Sequence, residues 1–348
     1  MQRISTSNKN GLIIDRTILE ILAFDKKANR VRLAELCELL VCMGVDLIEI
    51  DYEGLQFLGY LAKRIEFLYR LSQQNKEVFI PENIKNCLAS EEIINDKYLI
   101  ETLSKRGIKL TLEVRVFNIH QLLELRRFKD HENIKYVKRL RLIGLEAIDS
   151  PEWVQIAKDA ANSLNLELDI CAQNLYFNAT ATAFDALSAG VRAVTASFAG
   201  YGRFGGFTPV EEIMTCIKVL LGSHEDFKLY LLPMARKVFS ELTDIIIPEN
   251  KPLIGRDIFK YESGIHADGI EKDPTTYEPF DPGLVGQSRS LHIGKHSGRG
   301  AVLSKLKELG VNCTALDEAV VDTIREMSVK LKRGLCDEEI IELCGVPL

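Results

Sequence analysis

Short apolar runs alternate with helical stretches through the first two thirds of the 348-residue chain, and this alternation constrains the fold more than any other feature. GLIID (11–15) leads to RVRLAELCELLVCMG, a helix closed by Gly44. DLIEID (46–51) leads to LQFLGYLAKRIEFLYRLS, read as a second helix, and EVFI (77–80) reads as the next strand. The stretch around IKNCLAS is ambiguous. IKLTLEVRVF (108–117), VKRLRLIG (137–144), LELDICA (166–172) and AVTASFAG (193–200) each precede another helical stretch. Seven or eight strand-then-helix units mean parallel strands covered by helices. Near-continuous apolar strands fit a sheet buried on both faces. The length of the block, residues 1–247, suits a TIM (β/α)8 barrel, and the squeeze over 77–107 is where one unit would be trimmed.

After Pro248 the texture changes. Residues 248–298 are rich in Gly, Pro and Asp and read as an ordered linker subdomain, while 299–348 read as a small helical subdomain with Gly310 and Gly334 as stops. At 46% hydrophobic and 27% charged, the composition is that of a soluble globular protein. A net charge of −6 argues against nucleic acid or an anionic membrane as partner. No apolar run is long enough to span a bilayer, and the N-terminus lacks the apolar region of a secretory signal, so a cytoplasmic location is expected. Eight cysteines without a C-x-x-C pair read as buried thiols rather than a zinc or disulfide framework.

The glycine-rich stretch AGYGRFGGFTPVEEI (199–213) contains G-x-G-x-x-G at Gly200, Gly202 and Gly205. A dinucleotide fingerprint belongs in the first βαβ unit, with an acidic residue about 20 positions on. Here the loop ends the last strand of the alternating block instead.

GYGRFGGFTPVEE resembles the G-x-G-E-R-x-G-N-x-x-L-E-E pattern of a family of acyl-CoA condensing enzymes. FKYESGIHADG (259–269), TYEPFDPGLVG (276–286) and GKHSGR (294–299) resemble that family's F-x-H-E-S-G-I-H-x-D-G, Y-E-P and G-K-H-S-G-R motifs. The resemblance is to homocitrate synthase, 2-isopropylmalate synthase and citramalate synthase, most of all the homocitrate synthases of nitrogen fixation, and spans nearly the whole chain. It implies a Claisen-type condensation of acetyl-CoA with a 2-oxo acid such as 2-oxoglutarate. In such enzymes a divalent metal, Mg²⁺ or Mn²⁺, acts as Lewis acid on the ketone.

Carried over position by position, the resemblance gives an uneven site. The family's D-T-T-L-R-D-G falls on DRTILEI (15–21), so the catalytic Arg becomes Leu19 and the metal Asp becomes Glu20. Its H-x-H-N-D falls on CAQNL, which puts Cys171 and Gln173 at the metal histidines, and the metal Asn falls on Phe207. The D-T-V-G motif falls on GLEA (144–147), and the acidic residue of strand five falls near Arg115, with Glu113 two positions earlier on the same face. Glu20, Cys171 and Gln173 are thus a degenerate metal set. Arg115, Ser197 and Arg203 are substrate-binding candidates; His266, Tyr277 and Glu113 are catalytic ones. His266, Tyr277 and Glu278 keep the family residues, in a region that in the family crosses to the partner barrel of a dimer, which the resemblance implies here as well.

Two readings follow. The chain is an acetyl-CoA condensing enzyme in a degraded or partner-dependent form, with a metal site built on Glu20, Cys171 and Gln173. Alternatively, it is a non-catalytic subunit that pairs with an intact paralogue. The assembly expected is a homodimer or such a heterodimer.

Overall fold

The computed structural model describes residues 11–73, 80–148, 150–222, 226–311, 313 and 316–345. The chain divides into two compact units, Met1–Ile247 and Pro248–Leu348. In the first unit eight strands form a closed barrel in chain order: β1 (Leu12–Asp15), β2 (Leu47–Ile50), β3 (Phe67–Arg70), β4 (Asn86–Ser90), β5 (Lys109–Asn118), β6 (Val137–Ala147), β7 (Glu167–Ala172) and β8 (Ala193–Ala196). Every pairing is parallel, and β8 closes on β1 with Leu12 opposite Ala193 and Asp15 opposite Ala196. The main helices between and after the strands are α1 (Thr17–Phe24), α2 (Arg30–Met43), α3 (Tyr52–Leu58), α4 (Lys97–Lys105), α5 (Ile119–Leu123), α6 (Trp153–Ser163), α7 (Ala179–Ser188), α8 (Val210–Val219) and α9 (Leu232–Thr243). This is the TIM barrel read from the alternation.

One element departs from the sequence reading. The long helix expected over 55–72 ends at Leu58, followed by a short 3₁₀ turn, and its last part is strand β3. Ile65, Phe67, Leu68 and Tyr69 are all buried, which one face of a surface helix cannot achieve but a parallel strand covered on both faces can. The ambiguous IKNCLAS segment supplies β4, while residues 77–79 of EVFI lie outside the described residues. No strand is trimmed: the shortening falls on the β3–β4 connection, which has no helix among its described residues. Of the cysteines, Cys37, Cys87 and Cys171 are buried, but Cys42 and Cys336 are exposed, so the reading of buried thiols holds for only part of the set.

The barrel interior is built in layers. Ile14, Leu47, Leu68, Leu88 and Ala193 form one apolar cluster. Two residues further along, where the pleat returns to the same face, stand Arg16, Glu49, Arg70, Ser90 and Thr195. Arg141 Nη1 pairs there with Glu49 Oε2 at 2.5 Å and its Nε with Asp169 Oδ2 at 2.6 Å, all three side chains fully buried. Thr195 Oγ1 donates to Asp169. Arg70 donates from Nε and Nη2 to Glu49, and from Nη1 and Nη2 to Glu113 at 2.8 Å each. Charges this deep are tolerated because each acid meets an arginine, and Glu113 meets Arg70 in fork geometry.

In the second unit, two short strands, β9 (Lys260–Tyr261) and β10 (Ser290–Leu291), precede or flank helix α10 (Gly264–Lys272). Helices α11 (Arg299–Glu308), α12 (Glu318–Leu331) and α13 (Asp337–Leu343) follow. Leu291 and Ile293 share one core with Val302, Leu306, Val321, Ile324 and Ile340. The segment before residue 299 and the helices after it therefore fold around common apolar side chains.

Candidate active site

The C-terminal ends of the strands carry the site of a TIM barrel. At the end of β1, Asp15 accepts hydrogen bonds from Thr17 N and Thr17 Oγ1, both at 2.8 Å. Phe198 N in turn donates to Thr17 Oγ1 at 2.7 Å, which ties the β1 end to the β8 end. Burial pushes the Asp15 carboxyl up to about 7, against the lowering effect of the Thr17 hydrogen bonds and with the help of the Glu49 charge.

Arg16, between those two residues, turns into the mouth and is only 6% exposed. Its Nη2 and Nε donate to Glu20 Oε1 at 2.8 and 3.1 Å, one helical turn on in α1. Nη1 donates to Cys171 Sγ at 3.3 Å. The guanidinium carbon lies 4.0 Å from the centre of the Phe207 ring, in cation–π range. Burial alone would lower the guanidinium pKa, but the nearby Glu49 and Glu20 carboxylates carry it above its ordinary value; the group is a cation.

The glycine loop after β8 is shaped around that ring. A Cβ on Gly202 would stand 2.5 Å from a Phe207 ring carbon, and one on Gly206 would strike the Gly200 carbonyl oxygen at 1.8 Å. The loop folds tightly back on itself, with Phe207 N donating to Gly200 O at 3.0 Å. Its glycines serve a close backbone approach.

Gln173 forms an isolated bridge with Phe207, and its Oε1 accepts from Arg115 Nη2 at 2.6 Å. Arg115 Nη1 also reaches Glu146 at 3.1 Å, and the arginine side chain is 55% exposed. Ser197 is buried, and its hydroxyl has no hydrogen-bond partner among the described residues. Arg203 points elsewhere, donating to Ala23 O and lying 5.3 Å from the Phe24 ring. Glu113 sits in the ionic layer with both oxygens on Arg70; burial would raise its pKa, but Arg70 and Arg141 hold it below its ordinary value. Glu20 and Cys171 are thus brought together around Arg16 and Gln173 is held by Arg115, while Glu113 and Arg203 stand apart.

These residues do not fit a hard divalent ion. Mg²⁺ and Mn²⁺ favour six oxygen donors. Here Glu20 is held by a guanidinium, and Phe207 offers a ring face rather than a lone pair. Burial pushes the Cys171 thiol up to about 12 despite Arg16 and Arg141, which leaves it protonated at neutral pH. Among the described residues, no group of three or more His, Cys, Asp or Glu side chains could hold a metal ion. Arg16 was not singled out from the sequence. Its signal was the one changed residue in DRT, between the retained Asp15 and Thr17, where the family pattern has threonine.

The second unit carries its own cluster. Ser263 Oγ accepts from Ile265 N and caps α10, which puts the exposed His266 in the first turn of the helix. The His266 ring lies 4.6 Å from the Tyr277 ring, and a Cβ on Gly269 would meet that ring at 2.5 Å, so a glycine is needed for Tyr277 to lie across the helix. Both rings line a cavity of about 230 Å³ with Tyr261, Ile270 and Glu278. Glu278 is fixed by Arg289, whose Nη2 and Nε reach it at 2.7 and 2.9 Å. The two motifs of this unit hold each other: Glu262 Oε1 accepts from His296 N at 2.7 Å, and Ser297 Oγ donates to Glu262 O at 3.0 Å.

Comparison with known proteins gives the same assignment. The family described as homocitrate synthase post-HMGL domain-like matches residues 253–332. The omega subunit of homocitrate synthase from Clostridium pasteurianum is 31% identical over 338 residues, 95% of this chain and 94% of that protein. An (R)-citramalate synthase from Methanocaldococcus jannaschii is 28% identical over 283 residues, 80% of this chain and 55% of that protein. In fold, the chain is similar to the HMG-CoA lyase of Brucella melitensis, with a TM-score of 0.55 and 13% identity over 68% of this chain and 99% of that one. No helix among the described residues is long and apolar enough to cross a membrane. With a relative matched along nearly its whole length and the family's motifs in both units, the chain belongs to the homocitrate synthase family, whose members condense acetyl-CoA with 2-oxo acids.

Proposed function

We propose that this chain is the partner-dependent subunit of a homocitrate synthase-type enzyme. It lends His266 and Tyr277 to the barrel of an intact paralogue, and its own barrel does no chemistry. The observation that carries this reading is the contrast between the two units. In the barrel, the positions that would hold a metal enclose Arg16. In the C-terminal unit, the His266–Tyr277 pair is in ring contact and exposed, which leaves it free to face another chain.

In this role His266 handles the proton of the acetyl-CoA methyl group as it is transferred, an acid–base contribution of the order of 10²–10⁴-fold in rate. Tyr277 orients the imidazole through its ring. The Glu278–Arg289 pair holds the segment that bears Tyr277. On the partner's barrel the methyl carbon that has lost its proton attacks the ketone carbon of the 2-oxo acid, the ketone oxygen takes up a proton to become a hydroxyl, and water then cleaves the thioester to release CoA. In this chain's barrel Arg115 and Ser197 line a mouth without turnover, and Glu113 is a structural partner of Arg70.

The test is a mixed assembly of this chain and an intact paralogue, assayed for CoA release. His266→Ala in this chain alone is expected to lower kcat of the mixture by roughly 100-fold or more, with little change in KM for the 2-oxo acid. An unchanged kcat would remove the proposed role.

A further inference from the structure

The four positions that the resemblance assigns to the metal are 20, 171, 173 and 207. Three of them touch a single group, the Arg16 guanidinium: Glu20 at 2.8 Å, Cys171 at 3.3 Å and the Phe207 ring at 4.0 Å. The fourth, Gln173, bridges to Phe207 and takes its own arginine, Arg115. Loss of a metal site by drift would leave unmatched side chains here. Each substitution instead suits a planar organic cation: a carboxylate for its N–H edge, a soft sulfur acceptor and an aromatic face to stack on.

We infer that Arg16 is a resident cation, which takes the place of the divalent ion and makes the fold of this barrel independent of metal. The mouth needs a positive charge. Glu20 is 5% exposed, and its carboxylate lies 2.8 Å from the Arg16 guanidinium. A guanidinium on the chain neutralises Glu20 without an ion from solution, as Arg70 and Arg141 neutralise Glu49 in the ionic layer. It also joins helix α1, the end of strand β7 and the loop after β8, since its partners come from all three. The inference rests on family membership and on this geometry, and it stands whether or not the chain works through a partner.

The test compares the full chain with Arg16→Lys, which keeps the charge, and Arg16→Met, which keeps bulk without it. Thermal unfolding is followed in EDTA and with added Mn²⁺, and Mn²⁺ binding is measured directly. Wild type is expected to bind no stoichiometric Mn²⁺ and to have the same Tm in both conditions. Met is expected to lower Tm by roughly 5–15 °C, and Lys by distinctly less. A Met variant that does not fold beside a folded Lys variant counts as the same result. If neither folds, Arg16→Met with Glu20→Met removes both charges. Recovery of folding supports the inference; no recovery overturns it. One Mn²⁺ bound by wild type with a raised Tm, or a Met variant as stable as the Lys variant, would also overturn it.

Discussion

The Arg16 guanidinium lies 4.0 Å from the centre of the Phe207 ring, and Gly202 has no side chain where that ring must pass. Arg16 and Phe207 are 191 positions apart, so this contact closes the barrel mouth between its first and last loops. A cation–π contact in a desolvated site is worth about 2 kcal/mol. Phe207→Leu is therefore expected to cost ~1–3 kcal/mol in urea unfolding. In an Arg16→Met background the cost should fall, with a coupling of ~0.5–2 kcal/mol between the two changes. Additive losses would mean that the ring only fills space.

Arg141 is fully buried between Glu49 and Asp169. Arg141→Met removes one partner of a buried ionic layer, leaving Asp169 without its arginine and Glu49 with Arg70 alone. A loss of ~3–5 kcal/mol is expected, measured by chemical denaturation. A loss below about 1 kcal/mol would mean that the acids are protonated and the layer is not ionic.

Asp15 gives the stability a pH slope. Its carboxyl has a pKa of about 7 in the folded chain against 3.8 as the ordinary value. Between about pH 4 and pH 7 the folded state keeps a proton that the unfolded state has lost. Stability from this group therefore falls as pH rises, by up to ~1.4 kcal/mol per pH unit, and is flat above 7. The charged groups that act on it are Glu49, which raises it, and Arg16, which lowers it. Glu49 and Glu113 run the other way. Burial would raise them, but Arg141 and Arg70 hold Glu49 down, and Arg70 holds Glu113 down. Their stabilisation is present above pH 4.5 and is lost as acid titrates the folded state. Asp15→Asn should remove the decline between pH 4.5 and 7 while leaving the acid limb. Parallel pH profiles for the two proteins would contradict this.

The barrel was legible because parallel strands covered on both faces write themselves as apolar runs, and the C-terminal motifs are local in sequence. Strand β3 was not: Gly59 ends helix α3, but the residues that follow it up to the strand, YLAKRIE, carry neither glycine nor proline to mark where the strand begins. The ionic layer was hidden in plain runs such as LIEI and FLYR: a lone Glu49 or Arg70 says nothing until the closed barrel brings both inward. Arg16 was hidden for the same reason. Its partners lie 4, 155 and 191 positions away, and only the fold shows that they meet on one guanidinium.

The most direct measurement is CoA release by the purified chain alone, with acetyl-CoA, 2-oxoglutarate and Mn²⁺ or Mg²⁺, and then with an equimolar intact paralogue. No release above background alone, and turnover on mixing that exceeds that of the paralogue by itself, is the expected result. Metal-dependent turnover by the chain alone would contradict the account, because Glu20, Cys171 and Gln173 would then form a working site around Arg16.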